Sequence, residues 1–353
     1  MSNPVLSIIC AIHNAESTLD RMLNSILSEG MHPDDYEIIA CDDCSTDSSL
    51  EVLHKFVHDH PDIHMSILCT DEDGIHTPAN TRQYGLSQAS GLWIRFIDGD
   101  DTFVNEGCIK FFKYMDTCNG MKIMVKSEVN QVDENQNLFH QMFTNTTLLH
   151  GNFYNRQFLL DHNIAFDPEM RLFEDMYFNS QYLANVFYFG DPNRDFGYIP
   201  EATYNWTVAQ DTLSMHLFNQ SHGHVEFYLI ENWIKGSFAP FEKYLHIWPV
   251  PNAELFRKRL TQTTSGLYYY YENAIYRQLE DEIDDEAIAE AEVAIRKYFS
   301  QLELVCKNAL RTDMTAMLLQ SPDDFCEEYF LVTATNNYFV PKQSYKEFIS
   351  TMS

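Results

Sequence analysis

Basic residues are scarce in this chain of 353 residues. It contains 23 Lys and Arg against 52 Asp and Glu, which gives a formal net charge of −29. Such a surface repels phosphate backbones and anionic lipids, so extended nucleic-acid binding and a polybasic membrane anchor are both disfavoured. A local basic pocket for a single diphosphate is still compatible with this charge.

Long apolar runs are also missing. The chain opens Met1-Ser2-Asn3-Pro4 without a basic start, and its first apolar run extends only over residues 6–12. No run approaches the roughly 20 residues needed to cross a bilayer. We therefore expect no signal peptide, no transmembrane segment and a soluble cytoplasmic protein.

The eight cysteines lack the spacing of a metal site. Cys10 and Cys69 lie within apolar runs, which predicts buried reduced thiols. Cys41 and Cys44 form a Cys-x-x-Cys pair, but a zinc site needs a second ligand pair at a suitable spacing, and none is present. We interpret this pair as structural.

Glycine, lysine and arginine are all absent from residues 11–18, directly after the first predicted strand. This absence excludes a dinucleotide-binding Gly-x-Gly-x-x-Gly loop at that position. It also counts against a sugar nucleotidylyltransferase, which needs a glycine-rich, basic loop there to hold phosphates.

The residues that are present describe a globular α/β protein, with 45% hydrophobic and 14% aromatic residues. Apolar runs typical of buried strands alternate with segments of helical periodicity through the first hundred residues. The strands are predicted at 6–12, 36–41, 65–69 and 92–97. This alternation predicts a Rossmann-like, mostly parallel sheet.

Two domains are predicted. Residues 1–218 contain the α/β pattern, whereas residues 219–353 are mainly helical in pattern, with an apolar stripe that runs from Ile283 to Leu302. The helical domain is expected to bind an acceptor or to join subunits of a homo-oligomer.

Polar residues follow three of the predicted strands, at 13–14, 42–43 and 98–101. Because ligands of parallel sheets bind beyond the carboxyl ends of the strands, we expect these clusters to meet in one crevice. Asp98-Gly99-Asp100-Asp101 places three carboxylates within four residues, and they repel one another unless a cation lies among them. A hard divalent ion suits such oxygen ligands, and the alternative is a solvated acidic turn.

Five further residues carry candidate roles. An Asp at 42 or 43 can accept a hydrogen bond from a base or a ribose hydroxyl, although Asp is equally common in turns and helix caps. Arg82 can contact a diphosphate or fix Asp98, and its alternative is a structural salt bridge. Glu174-Asp175 lies at a predicted helix start, where acids complement the helix dipole or, in a desolvated pocket, supply a general base of raised pKa.

These motifs together resemble glycosyltransferase family 2, which has the GT-A fold. The resemblance rests on the opening strand at 4–16, the Asp-Asp-x-Ser-Thr-Asp turn at 42–47, the helix of Arg82, the Asp-x-Asp-Asp at 98–101 and the Glu-Asp pair at 174–175. It covers about residues 4–215, and the helical C-terminal part has no counterpart in it.

The resemblance implies inverting transfer of a hexosyl or pentosyl group from a nucleotide sugar, with UDP as the expected carrier, to an acceptor hydroxyl. It implies Mn²⁺ or Mg²⁺ held by Asp100 and Asp98, and Asp175 as the base with Glu174 shaping the acceptor site. The residues implied in donor binding are Ala11, His13, Asp42, Asp43, Arg82, Asp98 and Gly99.

The sequence departs from the family pattern at two places. The first strand ends Ala11-Ile12-His13-Asn14 where the family has Pro-x-Tyr-Asn, so that His13 takes the place of a tyrosine beside the base. Many GT-A enzymes have a metal-binding histidine after the Glu-Asp motif, and His216 lies a few residues late for that role.

No motif encodes the transferred sugar or the acceptor. We expect a surface glycan as acceptor, such as a polysaccharide, lipopolysaccharide or teichoic acid, and the alternatives are a protein side chain or a modified nucleic-acid base. Two other classes are a glycoside hydrolase and a non-catalytic sugar-binding module, to which the aromatic run at 268–271 would contribute. The intact set of acids favours catalysis.

Overall fold

The computed structural model describes residues 4–208 apart from 119–121, 143–147 and 191, and beyond them only residues 232, 235 and 236. The described strands are β1 (Leu6–Ile12), β2 (Tyr36–Asp42), β3 (Met65–Cys69), β4 (Trp93–Asp98), β5 (Thr102–Phe103), β6 (Met124–Val132), β7 (Leu138–Met142), β8 (Asn152–Asn155) and β9 (Phe196–Thr207). The described helices are α1 (Leu19–Leu27), α2 (Ser49–Asp59), α3 (Pro78–Gln88), α4 (Gly107–Thr117), α5 (Arg156–Asp161), α6 (Glu174–Phe189) and α7 (Pro192–Asp195), with a 3₁₀ turn at Pro33–Asp35.

Residues 4–182 and 190–208 belong to one compact unit, which contains the whole sheet. Several predictions fall outside the described residues. They are the domain boundary at 218, the helical domain at 219–353 with its expected role in oligomerisation, and the candidate ligand His216. Among the helices that are described, none is both long enough and apolar enough to cross a membrane.

The strands form one sheet in the order β3-β2-β1-β4-β8-β6-β9-β5, and β7 pairs with β6. Strands β1 to β4 are mutually parallel, as the alternating pattern predicts. Beyond β4 the sheet is mixed, because β8 is antiparallel to both β4 and β6 whereas β9 is parallel to β6. The carboxyl ends of β1, β2 and β4 therefore lie side by side.

The core lies on both faces of the sheet. Strand β1 is apolar at nearly every position because one face packs against α1 and the other against α3, and its residues divide between two buried clusters. Leu19, Met22, Leu23 and Ile26 of α1 recur at helical spacing and are all buried.

Gly85 sets the position of α3 against the sheet. A β-carbon at this position would lie 2.6 Å from Cγ2 of Ile9 and 2.8 Å from Sγ of Cys41. Only a residue without a side chain allows α3 to pack this closely on β1 and β2. Because Arg82 lies one turn earlier on the same helix, Gly85 also fixes the height of Arg82 above the sheet.

A charged residue, Arg95, is completely buried in the middle of β4. Its guanidinium lies 3.8 Å from the ring centre of Phe103 and 4.4 Å from that of Phe153, and it donates hydrogen bonds of 2.6 and 2.8 Å to Thr203 of β9. Buried Glu29 accepts the backbone N–H groups that open α4. These contacts join β4, β5, α4 and β9 behind the crevice.

The expectation of a buried thiol is confirmed for Cys10. The six described cysteines are free thiols, and burial raises the pKa of Cys41 to about 12. The expectation that Cys69 is buried is wrong, because β3 is the edge strand of the sheet and Cys69, its last residue, is exposed.

Candidate active site

The polar ends of β1, β2 and β4 converge, as expected. The backbone N–H of Asp43 donates to the carbonyl of Ile12 at 2.8 Å, and that of Gly99 donates to the carbonyl of Ala11 at 3.1 Å. The Nδ1 of exposed His13 lies 2.7 Å from the carbonyl oxygen of Asp43. Residues from three separate motifs therefore line one edge of the sheet, which is the crevice that parallel α/β topology provides.

The two aspartates at the carboxyl end of β2 differ in their surroundings. Asp42 is fully buried, and its Oδ2 accepts the backbone N–H of Ser45 at 3.0 Å, which is a turn-stabilising contact. The Oδ1 of Asp43 accepts a hydrogen bond from Thr70 Oγ1 at 2.7 Å, and the same oxygen pairs with His76 Nδ1 at 2.9 Å. Asp43 is therefore oriented by two donors, whereas Asp42 supports the loop.

Arg82 joins two of the acidic motifs. One of its terminal nitrogens lies 2.7 Å from Oε1 of Glu174 and the other lies 2.6 Å from Oδ1 of Asp98. The guanidinium is almost fully buried, with 7% of Arg82 exposed. Arg82 thus contacts Glu174, 92 positions away in the chain, and also Asp98, so the link from Arg82 to Asp98 that the sequence suggested is present.

Burial and ion pairing with Arg82 have opposite effects on the pKa values of Asp98 and Glu174. Burial opposes ionisation of Asp98, but Arg82 and His150 hold the pKa of that carboxyl well below its usual range. Burial is the larger influence at Glu174 and raises its pKa despite the same arginine. Arg82 itself has a raised pKa, because Asp98 and Glu174 outweigh the cost of burying its charge.

Three side chains form a group that can hold a cation. Asp98, Asp101 and His150 each offer a ligand atom, and these atoms lie within 4.8 Å of one another. His150 Nε2 lies 3.7 Å from Oδ2 of Asp98 and 3.6 Å from Oδ2 of Asp101. Two carboxylates and an imidazole suit a divalent ion of the Mn²⁺ type, and a bound ion would relieve the repulsion between the two acids.

Strand β9 holds the group in place. Buried Asp101 accepts the hydroxyl of Tyr204 and the backbone N–H of Thr207, both at 2.7 Å. The His150 ring stacks on Trp206, with ring centres 5.2 Å apart and planes 13° apart. Its Nδ1 is buried and has no hydrogen-bond partner in the described part of the chain. These contacts with β9 orient Asp101 and His150.

Asp100, which the motif assigns to the metal, is not part of this group. Its backbone carbonyl accepts a 2.8 Å hydrogen bond from Arg21, and the chain forms a turn at residues 99–100. Its carboxyl is half-buried, and burial followed by the charge of Asp98 raises its pKa. Asp100 lies next to the cation group and stays a predicted ligand.

Asp175 lies in the first turn of α6, directly after Phe173 and Glu174. Phe173 has a left-handed backbone with φ of 61°, which turns the chain sharply into the helix. Asp175 is half-buried, and its Oδ1 accepts the backbone N–H of Met176 at 2.7 Å. Burial, followed by the charge of Glu174, raises the pKa of Asp175 to about 8, a value suited to general-base chemistry.

Sequence reasoning missed His76 and His150 and did not assign Asp101 a separate role. Neither histidine belongs to a recognisable local pattern, because each lies in a loop and meets its carboxylate partner only through the sheet topology. The one available signal was the third acid of Asp98-Gly99-Asp100-Asp101, which the structure shows to be the most buried of the three.

Comparison with known proteins gives a consistent family. Residues 7–179 match the sequence profile described as Glycosyl transferase family 2. The chain is 27% identical over 191 residues to the Staphylococcus aureus poly(ribitol-phosphate) beta-N-acetylglucosaminyltransferase TarS, a match that covers 51% of this chain and 32% of TarS. It is 29% identical over 109 residues to the poly(ribitol-phosphate) beta-glucosyltransferase of Bacillus spizizenii, which covers 31% of this chain and 17% of that protein. These matches span a third or less of the length of both relatives.

Solved structures show the same fold. S. aureus TarS 1–349 in complex with UDP-GlcNAc superposes with a TM-score of 0.64 at 17% identity, covering 86% of this chain and 83% of that one. The mannosyltransferase PcManGT of Pyrobaculum calidifontis, in complex with GDP-Man and Mn²⁺, gives a TM-score of 0.50 at 13% identity and covers 99% of this chain and 85% of that one. At such identities the likeness concerns the fold alone.

Proposed function

Residues 7–179 belong to glycosyltransferase family 2 and have the GT-A fold, and from this premise we propose that the protein moves a sugar from a UDP-sugar to an acceptor hydroxyl. One observation carries the proposal. Arg82 binds Asp98 and Glu174 together, so that the acids at the end of β4 and those at the start of α6 meet at one place. This is the arrangement that a donor and an acceptor need to react with each other.

The donor's nucleoside is assigned to the turns after β1 and β2. Asp43, oriented by Thr70 and His76, supplies an acceptor for a base N–H or a ribose hydroxyl. Ala11 and His13 form the wall beside it, and Gly99 approaches the backbone of Ala11 closely. The relatives solved with UDP and UDP-GlcNAc support uridine diphosphate as the carrier.

The acidic group supports a divalent cation, Mn²⁺ or Mg²⁺. Asp98, Asp101 and His150 would hold it, with Asp100 beside them as a further ligand. When bound, such an ion neutralises negative charge on the leaving nucleoside diphosphate. Arg82 does not contact the diphosphate in this proposal, because both of its terminal nitrogens are paired with carboxylates. Its role is to keep Asp98 turned toward the cation group.

Asp175 is assigned as the general base. Its raised pKa and half-buried position support proton transfer from the acceptor hydroxyl. The acceptor oxygen forms a bond to the anomeric carbon while the bond from that carbon to the diphosphate oxygen breaks, and the proton passes to the Asp175 carboxylate. This single displacement inverts the anomeric configuration. Glu174, held by Arg82, shapes the acceptor side of the crevice.

The acceptor in this proposal is a surface glycan. TarS and the Bacillus spizizenii relative are named for transfer to poly(ribitol phosphate), and a third relative, WfaP of Escherichia coli, is named for transfer of glucose from UDP-Glc to a GlcNAc diphosphoundecaprenol. These names support a polyol-phosphate polymer or a related cell-surface saccharide as the first acceptor to test.

A donor screen tests the proposal. The protein is incubated with Mn²⁺ or Mg²⁺ and each of UDP-GlcNAc, UDP-Glc, UDP-Gal and GDP-Man, and the nucleoside diphosphate released by slow hydrolysis is measured. We expect release from one UDP-sugar, accelerated by poly(ribitol phosphate) and lost in Asp175→Asn. Asp116→Asn, the same change at an exposed site on α4, is the matched control. Absence of both nucleotide release and calorimetric UDP binding would refute the proposal.

A further inference from the structure

His76 makes hydrogen bonds through both of its ring nitrogens, and both partners are acceptors. Its Nδ1 lies 2.9 Å from Oδ1 of Asp43, and its Nε2 lies 3.1 Å from the carbonyl oxygen of Glu72. A neutral imidazole carries a single N–H and can satisfy only one of these acceptors. The geometry therefore favours the imidazolium form, in which both nitrogens donate.

The surroundings of His76 stabilise its positive charge. The hydrogen bond to Asp43 is the largest influence that raises the pKa of His76, followed by the bond to Glu72 and then by the charges of Asp43 and Asp71. From the neighbouring turn after β1, His13 reaches the same site through the backbone carbonyl of Asp43. Carboxylates thus outnumber cations around this ring.

The backbone that carries His76 is anchored on both sides. Thr77, which follows it, donates from Oγ1 to the carbonyl of Pro168 at 2.5 Å and caps α3 by accepting the N–H of Asn80 at 3.0 Å. Thr70, at the end of β3, donates to the same Asp43 oxygen as His76 does. No hydrogen bond within the described residues reaches the other oxygen, Oδ2, so that one face of the carboxylate is fixed and the other is left for a ligand.

We propose that His76 is a positioning residue for the nucleoside half of the donor. Its imidazolium fixes Asp43 and brings positive charge to an acidic crevice that must accept a dianionic diphosphate, so UDP binding weakens when this ring loses its proton. The inference rests on the proposed function, since it assumes that the turn after β2 binds the nucleoside. The inference goes beyond the proposed function because it makes the affinity for the donor depend on pH, through a residue that does not contact the reacting atoms.

The test is UDP binding by calorimetry in the presence of Mg²⁺ between pH 6 and pH 9. We expect the Kd of the unmodified protein to rise with pH as His76 deprotonates. His76→Gln keeps one N–H donor but no charge, so its Kd at pH 6 should be raised by roughly three- to tenfold and the pH dependence should be largely lost. In turnover the same variant should raise KM for the donor and leave kcat within about twofold.

His64→Gln is the matched control. His64 also faces a carboxylate, that of Asp34, but the pair is exposed and lies away from the crevice. Its pH profile should follow that of the unmodified protein. If His76→Gln keeps both the affinity and the pH profile of the unmodified protein, the inference is overturned, because some other group then governs the titration.

A second measurement separates this inference from the proposed function. The His76 ring signal, assigned from its loss in His76→Gln, is titrated by NMR in the absence of nucleotide. We expect its pKa to lie above the ordinary value of 6.5 and to fall in Asp43→Asn. A His76 pKa at or below that value would overturn the inference even if UDP binds. A raised pKa with no binding of UDP at any pH would instead count against the proposed function.

Discussion

Replacement of Asp175 by asparagine should lower activity and raise stability at the same time. The folded protein raises the pKa of this carboxyl from an ordinary 3.8 to about 8. Between these pH values the unfolded chain ionises Asp175 freely while the folded protein resists ionisation, so stability falls as pH rises through this window. Asparagine keeps the oxygen that accepts the Met176 N–H and cannot ionise, so this loss should disappear in the variant.

The size of the expected stabilisation follows from the pH interval between the two pKa values. At pH 7 the interval above 3.8 is about three pH units, and each unit corresponds to about 1.4 kcal/mol, which gives about 4 kcal/mol as an upper bound on the stabilisation. Even a quarter of that figure would raise Tm by roughly 2–4 °C in a domain of this size. The loss of a general base should reduce kcat by roughly 10²–10⁴-fold.

The assay pairs thermal unfolding with turnover from pH 5 to pH 9, with unfolding measured in a chelator so that no metal contributes. Unmodified kcat should increase with pH, reach half of its maximum near pH 8, where Asp175 is half ionised, and level off above that pH. The Tm advantage of Asp175→Asn should grow over the same range, while Asp116→Asn changes neither quantity. A variant that is inactive and also less stable at pH 8 would refute the reasoning, because the loss of activity would then reflect damage to the fold.

Three further predictions concern the framework of the site. Arg82→Met should cost roughly 3–5 kcal/mol of unfolding free energy in denaturant titrations, because it leaves two carboxylates unpaired in a buried position; a loss below 1 kcal/mol would contradict the bridging role. His150→Ala should weaken Mn²⁺ binding by at least roughly tenfold in calorimetry while Tm measured in chelator changes little; unchanged Mn²⁺ affinity would place the metal elsewhere. Gly85→Ala should lower stability by roughly 1–3 kcal/mol through overpacking against β1 and β2, and a neutral result would show that α3 can shift without cost.

Much of the N-terminal fold was accessible from periodicity. The bounds predicted for β1 and β3 agree with the structure, and those for β2 and β4 differ by one residue. Continuous apolar runs identify strands covered on both faces, because the two layers of helices leave no position for polar residues. Arg95 breaks that pattern inside β4, and nothing local indicates that aromatic rings and Thr203 from distant strands would compensate its charge.

The site was predictable only where its chemistry is concentrated in a short motif. The acids at the ends of β2 and β4 can be recognised in the sequence, because their position follows from the parallel topology. His76 and His150 cannot, because their partners, Asp43 and Asp101, are reached through contacts that depend on how loops return to the sheet. The hydrogen bonds to Asp101 come from β9, more than one hundred residues away in the chain.

That dependence on β9 limits how far the protein can be shortened. The family profile ends at residue 179, which makes a cut soon afterwards look harmless. Such a cut would remove Tyr204 and Thr207, the two donors that hold Asp101, together with Trp206, on which His150 rests. The smallest piece that retains a complete cation group therefore runs through residue 207, and an inactive shorter fragment would say nothing about the chemistry of the intact chain.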